Sequence, residues 1–156
     1  MHTSVKHRDA FTMVELVFVI VIIGILAAIA IPKLTATRDD ARITVLARAV
    51  AATANEAGER ALSYGVSSSD ITEMSVVMKS LVAQGKATLE DGGKVAKIKM
   101  NTIDDCIKLT ITTNSRDMNL TLSHGNAGGD PLCLSLQQTI DAGDYPVPLK
   151  GNRLKY

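Results

Sequence analysis

The sequence predicts an α+β protein: a long N-terminal α-helix packed against a small three-stranded antiparallel sheet, with short additional helices. Three observations lead there. An apolar run over residues 11–32 continues as a helically patterned stripe beyond it, and from residue 94 the hydrophobic period changes to two. Between and after these segments lie short stretches bracketed by helix-capping residues. The expected organisation is a leader at 1–10, a long helix at 11–62 that is transmembrane at 11–32, and a globular head at 63–156.

Residues 1–10 (MHTSVKHRDA) are polar, with Lys6 and Arg8 as firm positive charges, and read as a leader held on the cytoplasmic side. From Phe11 to Ile31 the chain is apolar except for Thr12 and Glu15. At ~1.5 Å per residue this run spans about 30 Å, the thickness of a bilayer's hydrocarbon core. An ionised carboxylate near one end of such a segment costs a few kcal/mol unless it snorkels or finds a partner, so Glu15 is the most informative residue in the chain. A competing reading is a secretory signal peptide, with Ala28-Ile29-Ala30 as its cleavage site. Against it stand the internal acid, a run longer than a signal peptide's usual apolar region, and helical patterning that passes Ala30 without a break.

Gly24 weakens the helix locally by about 1 kcal/mol relative to alanine. Pro32 removes an amide the helix would use and is expected to bend it, not end it. Beyond Pro32, Ile43, Leu46, Ala47, Val50, Ala51 and Ala54 form one apolar stripe, so the helix is expected to reach about Leu62 as a rod of roughly 75 Å. Arg38, Asp39 and Arg42 read as its solvated surface.

Gly65 and Ser67 to Ser69 read as a loop. A second helix is expected from Asp70 or Ser69 as cap to about Ala83, with Glu73 completing a capping pattern, Gly85 ending it, and Met74, Val77, Met78 and Leu81 facing inward. Alternation then marks strands at Val95–Met100, Cys106–Thr112 and Met118–Ser123, with turns at 101–105 and 114–117. His124 to Asp130 reads as a glycine-rich connector. Asp130-Pro131 opens a helix from Leu132 to about Ile140, and the tail from Asp144, with Pro146 and Pro148, reads as extended surface.

Composition excludes several function classes. Net charge is +1 with acids and bases interspersed, tryptophan is absent, and both phenylalanines lie in the apolar run, so neither a basic patch nor a stacking surface for nucleic acid is evident. His2, His7 and His124 form no triad, acid/base pair or zinc spacing, so no enzymatic activity and no catalytic residue are expected. If the head is exported, Cys106 and Cys133 can form a disulfide closing a loop of about 28 residues, worth about 3 kcal/mol. Two buried thiols are the alternative.

The run Phe11-Thr12-Met13-Val14-Glu15-Leu16, the short basic leader before it, Gly24 midway and Pro32-Lys33 at the far end resemble the N-terminus of type IV prepilins and of type II secretion pseudopilins. The resemblance implies cleavage by a prepilin peptidase between Ala10 and Phe11, N-methylation of the new Phe11 amine, and packing of the helices into a filament core in which Gly24 and Pro32 take part. It further implies that Glu15 pairs with the Phe11 amine of a neighbouring subunit, neutralising the carboxylate and setting axial register. Alanine at position 10 departs from the glycine usual in the family.

The implied partners are copies of the chain or related pilins in a helical filament, the prepilin peptidase and the inner-membrane assembly machinery. The implied location is a single pass in the bacterial inner membrane with a periplasmic head, then a pilus or pseudopilus. No cofactor is required. Some pseudopilin heads bind calcium, for which Asp130, Asp141 and Asp144 are the weak candidates here, against a reading as capping and loop acids. The alternative in another class is a membrane-tethered periplasmic binding domain that does not polymerise.

Overall fold

A computed structural model describes residues 11–64, 68–113, 118–145 and 147–150. The expected leader with Ala10, the loop at Gly65 and Ser67, the 114–117 turn, Pro146 and the end of the tail lie outside the described residues. The chain divides into two compact units, Met1–Asp39 and Asp40–Tyr156. Helix α1 (Met13–Tyr64) is assigned without a break through Pro32.

In the second unit, five strands form one antiparallel meander in the order β1 (Ala87–Glu90), β2 (Val95–Met100), β3 (Ile103–Thr113), β4 (Met118–His124) and β5 (Val147–Lys150). The sheet thus has two edge strands more than the three expected. β1 is only four residues long and carries no clean alternation, and β5 contains Pro148, which a strand tolerates only where its missing amide costs no ladder bond, as at an edge. Register places Leu89, Ala96, Leu109 and Leu122 in one cross-strand row, and Thr88, Lys97, Lys108 and Ser123 in another. The first row faces the core and the second faces solvent, as a period of two requires. The first hairpin is also tighter than expected. Asn101 takes a positive φ of 52°, and β3 begins at Ile103.

The core is aliphatic. Ile43, Leu46, Val50, Ala54, Ala57 and Ala61 of α1 join the buried sheet face and Ile71, Met74, Met78 and Leu81 in one hydrophobic cluster. Ala51, expected on the α1 stripe, is exposed; Thr53 is buried instead, its hydroxyl donating to the Ala49 carbonyl at 2.8 Å. The stripe runs on to Ala61 because the helix follows its period of 3.6, which carries the inward face past Ala51 to Ala54 and Ala57.

The single helix expected from Asp70 to Ala83 is two: α2 (Ile71–Met74) and α3 (Val76–Ala83). Asp70 caps the first, accepting from the Thr72 amide and hydroxyl. Its side chain lies against Gly93, where a Cβ would collide with it. Ser75 breaks the run with extended backbone (φ −137°, ψ 122°) and caps α3 by accepting from the Met78 amide. The break has a partner across the core, because the Glu56 carboxylate of α1 accepts from the Ser75 hydroxyl at 2.6 Å and the Val77 amide at 3.1 Å. Glu56 therefore satisfies donors at a helix start that a buried Ser75 would otherwise leave short of acceptors.

Helix α4 (Pro131–Thr139) is held by three independent ties. Cys106 of β3 and Cys133 of α4 are disulfide-bonded, with Cα atoms 5.6 Å apart. The Gln137 side-chain amide donates to the Cys106 and Gly125 carbonyls. Asp130 caps the helix through the Leu132 and Cys133 backbone amides and accepts from the Asn101 side-chain Nδ2 at 2.6 Å. Cys106 and Ile107 are both fully buried although successive strand residues face opposite sides, so α4 covers the second face at this point. Gly125 extends the β4 ladder by donating to the Cys106 carbonyl, and any Cβ there would collide with the Asp105 backbone.

Four consequences can be measured on the folded head. Glu56→Ala should lower stability by about 1 to 3 kcal/mol by leaving the Ser75 and Val77 donors short of an acceptor, read as a shift in the urea midpoint. Reduction of Cys106–Cys133 should cost about 3 kcal/mol. Gly125→Ala should destabilise, because the obstructing atoms are backbone. The Asn101 side-chain amide, then the Cys133 and Leu132 backbone amides, hold the Asp130 carboxyl below the usual carboxylate range. Its contribution is therefore present above the unfolded carboxyl's pKa and is lost as pH falls through the lower folded value. Acid titration of an Asp130→Ala variant should show a shallower loss of stability than the parent over that interval.

Candidate functional site

The N-terminal segment is the candidate site. Among its described residues the large apolar side chains from Phe11 to Leu34 are solvent-facing: Phe11 is 86% exposed, Phe18 64% and Ile31 63%. This part of α1 is long and apolar enough to cross a membrane, and none of its most apolar stretch is buried within the chain. An exposed patch of this extent far exceeds what a water-soluble monomer shows. Gly24 has nothing within 4 Å of a Cβ position, so within the chain it accommodates no neighbour.

The polar residues of the segment stand together at the start of the helix. Thr12 lies immediately before α1, and its carbonyl accepts the first intrahelical bond, from the Leu16 amide at 3.2 Å. Its hydroxyl accepts from the Glu15 amide at 3.2 Å and donates to Glu15 Oε2 at 2.8 Å. The Thr12 amide also donates to Glu15 Oε2, at 2.9 Å. This is a reciprocal capping box, in which the residue just before the helix and the third helical residue satisfy donors that the helix itself leaves open. The positive end of the helix dipole adds favourable potential at the carboxylate. Threonine followed three residues later by glutamate, ahead of an apolar run, is the sequence signature of this arrangement. The cost of an ionised Glu15 near hydrocarbon is therefore partly met by Thr12 within the same chain.

The remaining residues singled out from the sequence are dispersed. Pro32 lies inside α1. The Thr35 and Thr37 hydroxyls, beyond it in the same helix, donate to the Ile31 and Lys33 carbonyls. Asp130 is engaged in capping α4, and Asp141 accepts from the Gly143 amide. Among the described residues no group of three or more histidine, cysteine, aspartate or glutamate side chains could hold a metal ion. On the outer sheet face Lys97 meets Glu90 at 2.6 Å, which raises the lysine's pKa, and Lys99 and Lys108 meet Asp104 and Asp105. Those cations are matched by acids, which leaves this face no bulk attraction for an anionic partner.

Comparison with known proteins bears on the N-terminal segment alone. The prokaryotic N-terminal methylation motif matches residues 5–31, a stretch that takes in the end of the basic segment, the Thr12–Glu15 capping box and the exposed apolar helix. No curated protein and no solved structure matches the chain. The chain thus carries a prokaryotic N-terminal methylation motif, the N-terminal signal of type IV pilins and pseudopilins.

Proposed function

We propose that this protein is a structural subunit of a type IV pilus-like filament or a type II secretion pseudopilus. It is processed by a prepilin peptidase between Ala10 and Phe11, methylated on the Phe11 amine and assembled through its N-terminal helix. The observation that carries the proposal is the juxtaposition, within the methylation motif, of a solvent-facing membrane-length apolar helix and a single carboxylate, Glu15, at its start. Before assembly the apolar surface is covered by lipid, with the head, residues 63–156, in the periplasm. After assembly it is covered by the same surface of other subunits. The driving force for this exchange cannot be apolar burial alone, since lipid tails are as apolar as the helix; close packing and polar pairing have to supply the difference. Glu15 is the ionisable group in a position to do so, by meeting the Phe11 amine of a neighbour. No step of this role calls for a catalytic residue or cofactor, and calcium at Asp130, Asp141 and Asp144 has no part in it.

Two measurements test the reading. Mass spectrometry of the protein from its host should find Phe11 as the first residue, bearing a methyl group; Ile31 as the first residue would identify a secretory signal peptide instead. Glu15→Ala should abolish filaments while leaving membrane insertion intact, since breaking a buried ion pair costs about 3 to 5 kcal/mol at each contact. Wild-type filament yield from that variant would remove Glu15 from assembly, and a wild-type protein that inserts in the membrane but enters no filament would be a membrane-tethered domain that does not polymerise.

A further inference from the structure

We propose that Thr12 is the positioning residue for Glu15: its hydroxyl and amide hold the carboxylate in place within the single subunit and leave one oxygen open for the neighbouring amine. The inference rests on the assembly role proposed above for Glu15. Both Thr12 donors converge on the same atom, Oε2, at 2.8 and 2.9 Å. Oε1 has no hydrogen-bond partner among the described residues. Two donors on Oε2, with the Glu15 amide bound back to the Thr12 hydroxyl, remove the side chain's rotational freedom and turn the carboxylate toward the N-terminal end of its own helix.

Two physical consequences follow from that arrangement. A carboxylate that must reside near hydrocarbon before assembly carries part of its solvation with it, as hydrogen bonds from Thr12 and the helix start. At assembly the neighbour's amine then meets an acceptor already aimed and already partly satisfied, so less ordering is required when the pair forms. Thr12 is suited to this because a hydroxyl accepts and donates at once. Valine has the same shape and can do neither, whereas serine can do both.

The test uses the full-length protein in its host, with filaments scored per membrane-inserted subunit, for Thr12→Ser, Thr12→Val and Glu15→Ala. Serine should assemble close to the wild-type level, and valine about tenfold lower, the equilibrium worth of one hydrogen bond to a charged group. Wild-type yield from Thr12→Val, or equal impairment of Thr12→Ser and Thr12→Val, would overturn the inference while a filament-free Glu15→Ala leaves the assembly reading standing. A Glu15→Ala variant that still assembles would remove both. Should Thr12→Val fail to accumulate, the carboxyl carbon resonance of Glu15 in the mature wild-type and Thr12→Ser proteins in detergent micelles decides. A retained hydroxyl contact keeps the two resonances together. A resonance that moves to the value of an exposed glutamate on Thr12→Ser substitution sinks the proposal.

Discussion

A carboxylate at the threshold of a membrane-length apolar helix must be satisfied at every stage of the protein's existence, and that constraint organises the N-terminal segment. Bulk water supplies partners to an exposed acid at no structural cost, but hydrocarbon supplies none. The chain provides two donors of its own from Thr12, and the helix start provides a favourable dipole end. What remains is one oxygen and a formal charge. In the proposed filament that remainder is matched by an amine created by processing, so the chemistry of cleavage and the chemistry of assembly meet in one ion pair.

The head answers a different constraint, that of building a core almost without aromatic side chains. It does so with aliphatic rows along a five-stranded meander, a stripe of small and branched residues on α1, and methionines on the two short helices. Side chains that reach between elements provide the specificity that packing of similar aliphatics lacks. Glu56 fixes where α3 begins. The disulfide, Gln137 and the Asn101–Asp130 contact fix where α4 lies. Because these ties bond backbone groups or cap helices, they select one arrangement among several that would bury comparable apolar area.

Much of this was legible in the residues, and what was missed has physical causes. The long helix, the three central strands, the Asp130-Pro131 helix start and the α+β class follow from periodicity and capping chemistry over long, regular segments. The break at Ser75 was not legible, because it depends on Glu56, nineteen residues away in sequence and brought near only by the fold. The edge strands were hidden by their brevity and by Pro148. Ala51 lies on the exposed face, which its side chain does not signal, because alanine fits either face of a helix. At the candidate site the threonine three residues before the charge is a local signal that needs no tertiary information, since its spacing from Glu15 is that of a capping box.

The central claim is that the carboxylate completed by Thr12 inside one subunit is neutralised by the amine of the next. The most direct measurement is a filament structure at a resolution that places side chains. It should show the Phe11 nitrogen of one subunit within about 3 Å of a Glu15 carboxylate oxygen of another, a charge-assisted hydrogen bond. A filament in which the two groups stand more than about 6 Å apart, with Glu15 meeting some other partner, would contradict it.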